Sequence, residues 1–296
     1  MKHLVPTSIR SSVGEYLNAV RLRRVPRMAS SFSRLAVPEA INVRSILNDQ
    51  SLNQEWMEIH GYIQSEVLGG HDVPHSANLG DLRVIYHFVR HLKPRRALEI
   101  GTGFGATTLY LGAALKKNAV TSSQAAGTLT TVDVHDVNDW SSRPLAGSGL
   151  SRSPREAVRL AGLSEIVVFK VARSYDFLAE AKGRFDFVFL DGSTAAADVY
   201  RDLQNINQAI EDDTVVLLHV YFPQGRPLWH GESAITGPWR AVQRFHGEGA
   251  LLTVLPLGQL PWPTKRGGNI TSLALVCRLE EGSRKQASEE IRPPAA

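Results

Sequence analysis

The chain has one cysteine, Cys277, in 296 residues, so an intramolecular disulfide is excluded. Cys277 closes the apolar run Leu273–Cys277, a setting that predicts a core residue. No stretch approaches eighteen uninterrupted apolar residues, so the sequence offers no candidate for a membrane-spanning helix. Internal repeats and low-complexity blocks are missing as well. With 43% apolar and 21% charged residues, the composition is that of an ordinary globular protein. Length alone allows one large domain with additions, or two small ones.

Strong charge is also lacking once it is located. The formal net charge of +4 would suit a nucleic-acid binder. Yet residues 1–34 hold Lys2, Arg10, Arg21, Arg23, Arg24, Arg27 and Arg34 against Glu15 alone, a net of +6. By difference the rest of the chain sums to about −2, too little for a nucleic-acid groove. Within this leader Val13, Tyr16, Leu17 and Val20 share one helical face before Pro26. Such a helix can lie on an anionic membrane or a partner, serve as an organelle transit peptide, or pack on its own domain. The last reading is preferred, because no apolar core suitable for a secretory signal is present.

Two helices are expected to precede the main body. Leu52, Trp56, Ile59 and Ile63 follow helical spacing up to Gly69-Gly70, and Leu82, Ile85, Tyr86, Val89 and Leu92 form a second apolar face closed by Pro94. His71 and His75 lie in the loop between them. Two histidines without a third nearby ligand do not make a zinc site.

From Ala97 onward strand and helix alternate. Strand-like runs are Ala97–Gly101, Thr128–Val134, Ile166–Val171, Phe185–Asp191, Thr214–Val220, Leu251–Pro256 and Thr271–Cys277. Helical patterns fall at Ala106–Lys117, Pro154–Ala161, Tyr175–Ala181, Ala195–Ile210 and Gly237–Phe245. Asn118–Gly127 reads as a small-residue loop insertion. Repeated β-α-β units with nearly continuous apolar strands predict an α/β fold, a parallel sheet covered by helices on both faces. The expected divisions are a basic extension (1–34), a helical cap (35–94), a main domain (95–280) and a disordered polar tail (281–296).

The most informative stretch is Ala97-Leu98-Glu99-Ile100-Gly101-Thr102-Gly103-Phe104-Gly105. An apolar strand ends in a glycine-rich turn that opens a helix, an arrangement that holds a nucleotide-like cofactor at the helix N-terminus. Gly101, Gly103 and Ala106 also satisfy the dinucleotide pattern G-x-G-x-x-G/A. Glu99 separates the two: a carboxylate in an apolar strand calls for a cation or a donor-rich ligand nearby. The run Glu-Ile-Gly-Thr-Gly-Phe-Gly resembles the first motif of class I S-adenosylmethionine (SAM)-dependent methyltransferases. That resemblance implies SAM as cofactor, with Glu99 near its methionine moiety and Gly101, Thr102, Gly103 and Gly105 around it. It also implies a Rossmann-like sheet of seven strands, mostly parallel with the last antiparallel.

Asp133 ends the second strand, where an ionised carboxylate can accept from both ribose hydroxyls. His135 and Asp136 follow at the strand's mouth, as cleft residues or a polar loop start. After the third strand, Val171-Ala172-Arg173-Ser174 has no acid for the adenine amine, which leaves Ser174 or backbone groups; Arg173 reads as exposed. The fourth strand runs apolar into Asp191-Gly192 and aims a carboxylate out of the sheet. With Asp198-Val199-Tyr200-Arg201-Asp202-Leu203 it looks like the small-molecule O-methyltransferase branch. Ser193-Thr194 and Val220 depart from that branch, in which metal-using members carry acids, so a metal-free site is expected. Asp191 and His219 sit at adjacent strand ends and are expected to face the cofactor's methyl, Asp191 as a cofactor-binding residue and as orienting partner or acceptor ligand, His219 as the base near neutrality. The loop Phe222–Gly237, with Arg226, Trp229, His230 and Glu232, reads as a substrate lid.

The function expected is O-methylation of a small polar molecule such as a sugar or natural product. The cytoplasm is the expected location and a homodimer the candidate assembly. An NAD-dependent oxidoreductase and a non-catalytic SAM-binding protein are the alternatives.

Overall fold

The structure is a computed structural model that describes residues 17–27, 32–71, 73, 77–122, 125–139, 141, 150–181, 184–265 and 267–279. Val13, Tyr16, His75 and the tail from 280 onward lie outside the described residues.

Helix α1 (17–24) opens the described chain, followed by α2 (Val43–Leu47), α3 (Ser51–Tyr62) with a π-helical turn at Ile63–Val67, and α4 (Leu79–Leu92). Asn78 caps α4 by accepting the Asp81 N–H at 3.1 Å, and Lys93 ends it in a left-handed conformation before Pro94. The main body then alternates: β1 (Arg96–Ile100), α5 (Ala106–Ser122), β2 (Thr128–Asp133), α6 (Pro154–Leu160), β3 (Val167–Val171), α7 (Ser174–Glu180), β4 (Phe185–Leu190), α8 (Ala196–Ala209), β5 (Ile210–Leu218), α9 (Gly237–Gly247), β6 (Leu252–Pro256) and β7 (Ala274–Arg278).

The strands form one sheet in the order β3-β2-β1-β4-β5-β7-β6. β1 to β5 pair in parallel, and β7 runs antiparallel to both β5 and β6. The expected α/β architecture with an antiparallel last strand is what the chain adopts. Period-two alternation splits the core cleanly. Ala97, Leu129, Phe187, Phe189, Leu217 and Leu275 face a core shared with α3, α4, α5 and α6. Leu98, Ile100, Val132, Val188, Leu190, Val216, Leu218 and Val276 face a second core with α7, α8 and α9. Cys277 is buried, as expected, and burial pushes its thiol up to about 12.

The two largest departures from the expected boundaries are the end of α5 and the start of β5. Helix α5 continues through Ser122, so the loop insertion begins later than Asn118. Asn118 is buried and bonded on both sides, accepting from the Arg90 guanidinium and donating to the Val89 carbonyl at 2.9 Å. Strand β5 begins at Ile210 and not at Thr214. Its acidic start is accommodated by arginines: Arg96 pairs with Glu211, Arg34 with Asp212 and Arg278 with Asp213.

The leader packs on its own domain over the described part. Leu22 and Val25 enter the second core, and the Arg244 guanidinium donates to the carbonyls of both. Arg21, Arg23 and Arg24 stay exposed. Among the described residues no helix is long and apolar enough to cross a membrane.

Candidate active site

The sheet order reverses between β1 and β4, and a crevice opens beyond the carboxyl ends of these strands. The glycine turn builds its floor. Gly101 has φ +97°, and a Cβ there would stand 2.2 Å from the Asp191 carbonyl oxygen, so only glycine lets the turn pass the end of β4. At Gly105 a Cβ would press on Pro154 at 2.8 Å, the first residue of α6. Around Gly103 a Cβ would meet nothing within 4 Å. One glycine therefore serves the turn, one the packing of α6, and one faces open space.

Asp133, at the end of β2, locks this turn. Its Oδ2 accepts the Gly103 N–H at 3.0 Å and its Oδ1 accepts the His135 N–H at 3.0 Å. Each oxygen keeps lone-pair capacity for a ligand. A cavity of about 250 Å³ lies beside it, lined by Gly101, Asp133, Val134, Ala172, Arg173, Ser174, Tyr175, Gly192, Ser193 and Asp198 among others. Gly101, Asp133 and Ser174 are the lining residues that the sequence predicts for this place. Val134, Tyr175 and Asp198 complete the wall, and of these only Val134 carries a sequence signal, directly following the carboxylate at the strand mouth.

Ser193 explains its own departure from an acid. Its hydroxyl donates to Asp198 at 2.9 Å and accepts the Ala195 N–H at 3.1 Å, fixing the entry to α8. Ser174 starts α7 and bonds through its side chain to Asp202, a buried carboxyl that burial pushes up to about 7. Arg173 is exposed, and its guanidinium donates to the Tyr175 hydroxyl at 2.9 Å.

Glu99 is fully buried behind the turn. Its Oε2 accepts from Thr108 and Thr131, each at 2.6 Å. Thr102 points inward and meets Thr131 at 2.6 Å, so its hydroxyl supports Glu99 and does not line the cavity. Glu99 Oε1 is buried without a partner. Burial, opposed by the two threonine bonds, raises the Glu99 carboxyl to about 8.

His219 stands at the end of β5 between two carboxylates. Nδ1 lies 2.9 Å from Asp191 Oδ1, close enough for an ion pair but without hydrogen-bond alignment. Nε2 meets Asp81 Oδ2 at 3.2 Å. Burial would lower the imidazole, but Asp191 and then Asp81 raise it to about 10. A base near neutrality needs a neutral ring with a free lone pair, and this surrounding favours the imidazolium instead. The sequence alone does not single out Asp81, since an acid in the first turn of a helix is ordinary there.

Other candidates fall elsewhere. His71 is exposed, as are His135 and Asp136. Trp229 is buried, edge-on to Phe222 at 5.9 Å, and Lys265 stacks over it while pairing with Glu232 at 2.8 Å. That end of the expected lid is thus tied to the β6–β7 connection. Among the described residues, no group of three or more His, Cys, Asp or Glu is arranged to hold a metal ion.

Residues 98–221 match the family model for a methyltransferase domain. This segment is a methyltransferase domain. It spans the glycine turn, Glu99, Asp133, Asp191 and His219, while Asp81 precedes it. The O-methyltransferase TomG from Streptomyces achromogenes, solved with SAM, superposes on the chain with a TM-score of 0.50. It is 17% identical and covers 93% of this chain and 100% of its own. Cofactor-bound Rv0187 from MTB superposes with a TM-score of 0.50 at 18% identity, over 82% of this chain and 96% of its own. At such identities the likeness is one of fold. No curated protein matches the chain.

Proposed function

We propose that the methyltransferase domain moves the methyl group of SAM onto a hydroxyl of a small polar molecule, such as a sugar or natural product. The observation that carries the choice of donor is the orphaned Oε1 of Glu99, a buried acceptor behind a turn that lies open at Gly103. A ligand bearing an ammonium group satisfies it, directly or through water. A dinucleotide has no such group to offer.

The remaining groups suit the same ligand. Asp133 holds the ribose hydroxyls with its free lone pairs. Ser174, its neighbouring backbone and the apolar wall of Val134 and Ala172 take the adenine end. Gly101, Gly103 and Gly105 shape the turn, and Thr102 keeps Glu99 in place from below. When bound, SAM supplies an electrophilic methyl group on a sulfonium.

Asp191 and His219 handle the proton. Because the two carboxylates flanking His219 favour its cationic form, Asp191 is the group with lone pairs available to the acceptor hydroxyl, and it takes the proton as the O–CH₃ bond forms and the S–CH₃ bond breaks to leave S-adenosylhomocysteine. The imidazolium offsets the charge of Asp191 and favours a developing oxyanion. A metal-free site belongs to this reading, since His219 already supplies a positive charge between Asp81 and Asp191. A small-molecule acceptor, and not nucleic acid, fits the location of the basic charge in the leader. A cytoplasmic homodimer completes the reading.

The test is a pooled metabolite screen with methyl-labelled SAM. Label should appear in an O-methyl product together with S-adenosylhomocysteine. Tight binding of S-adenosylhomocysteine with no labelled product from any hydroxyl pool would favour a non-catalytic binder and remove the proposed reaction.

A further inference from the structure

We propose that Asp81, delivered by the helical cap, is a positioning residue that holds His219 against Asp191. The proposal rests on the methyl-transfer reading of that pair. Asp81 lies in the first turn of α4, fully buried and 138 residues from its histidine partner.

Its three side-chain partners are Thr271 Oγ1, donating to Oδ1 at 2.5 Å, Asn78 Nδ2, donating to Oδ2 at 2.7 Å, and His219 Nε2, 3.2 Å from Oδ2. A carboxylate placed only to anchor the start of a helix would be satisfied by Asn78, Thr271 and the free N–H groups there. The bond to His219 goes beyond that need. It fixes which ring nitrogen faces Asp191 and removes the freedom of the ring to turn.

The backbone beside His219 supports the same reading. Val220 has φ +59°, a left-handed conformation that a β-branched residue adopts only under constraint. The kink sends the Tyr221 N–H to the Ser272 carbonyl at 2.8 Å, so the end of β5 is tied to the segment that also holds Asp81 through Thr271. The groups facing His219 are Asp81 from α4, Asp191 from the end of β4, Asp202 of α8 across a shared recess, and the Phe189 ring at 6.0 Å. Asp81 is the one of these contributed by the cap. Cap and methyltransferase domain are thereby joined at the reacting centre.

The experiment follows ¹⁵N-labelled histidine by NMR through a pH titration of the full chain, with His219→Gln assigning the resonance. In the unmodified protein His219 should carry both ring protons at pH 8. In Asp81→Asn, which keeps an acceptor but removes the charge, His219 should titrate lower by about one to two pH units. The same variant should lose about tenfold in kcat, with KM for SAM within about twofold and the pH profile moved in the same direction. A wild-type titration of His219 together with wild-type kcat in Asp81→Asn overturns the proposal. A neutral His219 at pH 8 in the unmodified protein overturns it without any variant, should Asp81→Asn fail to fold. If the unmodified protein transfers no methyl group, the preceding functional reading falls, while the titration alone still decides whether Asp81 sets the state of His219.

Discussion

Glu99 couples proton and ligand at the level of a single side chain. Its carboxyl, raised to about 8 by burial, is mostly protonated at neutral pH while Oε1 lacks a partner. A cationic ligand favours the ionised form, so SAM binding should release roughly one proton at pH 7. The sign follows: affinity for SAM rises with pH until Glu99 of the free protein ionises near pH 8. Calorimetry in buffers of different ionisation enthalpy should show that release, and Glu99→Gln should abolish it. Identical heats in every buffer would contradict the assignment. Glu99 was legible in the sequence because a charge in an apolar strand, two residues before a glycine turn, has few physical excuses. Asp81 was not, because an acid in a helix's first turn has an ordinary one and its partner is remote in the chain. The surroundings of His219 were equally hidden, since its two carboxylate neighbours arrive from α4 and the end of β4.

At the level of elements, the turn between β1 and α5 is the most constrained piece. Gly101→Ala would place a Cβ 2.2 Å from a backbone oxygen at a φ of +97°, and either the turn or the end of β4 must move. The expected cost is about 2–3 kcal/mol in chemical denaturation, with S-adenosylhomocysteine binding lost. Gly103→Ala meets open space and should cost only about 1 kcal/mol. Equal stabilities for the two variants would show that the close approach to β4 is not what demands glycine. Strand and helix identity was readable from periodicity, because the central strands β1, β4 and β5 bury alternate residues against two separate cores. Ends were less readable. The start of β5 carries Glu211, Asp212 and Asp213, whose arginine partners come from distant segments. The end of α5 is held by Asn118, whose bonds to α4 no local pattern discloses.

Across the whole molecule, the cap and leader are bound into the fold that carries the cofactor crevice. Buried Leu22 and Val25 and the Arg244 bonds tie the leader to the second core. Asp81 ties the cap to the end of β5. Composition located the basic charge in the leader, and apolar spacing suggested packing. Neither could say which arginine of the body would receive it. The crevice beyond β1, β2 and β4 is proposed to hold SAM, with Asp133 receiving the ribose. Calorimetric titration of S-adenosylhomocysteine into the unmodified chain and into Asp133→Ala tests it most directly. Binding is expected to the former and at least about tenfold weaker binding to the latter, with unchanged circular dichroism. Equal affinity in the two proteins, or binding of NADH in place of S-adenosylhomocysteine, would contradict it.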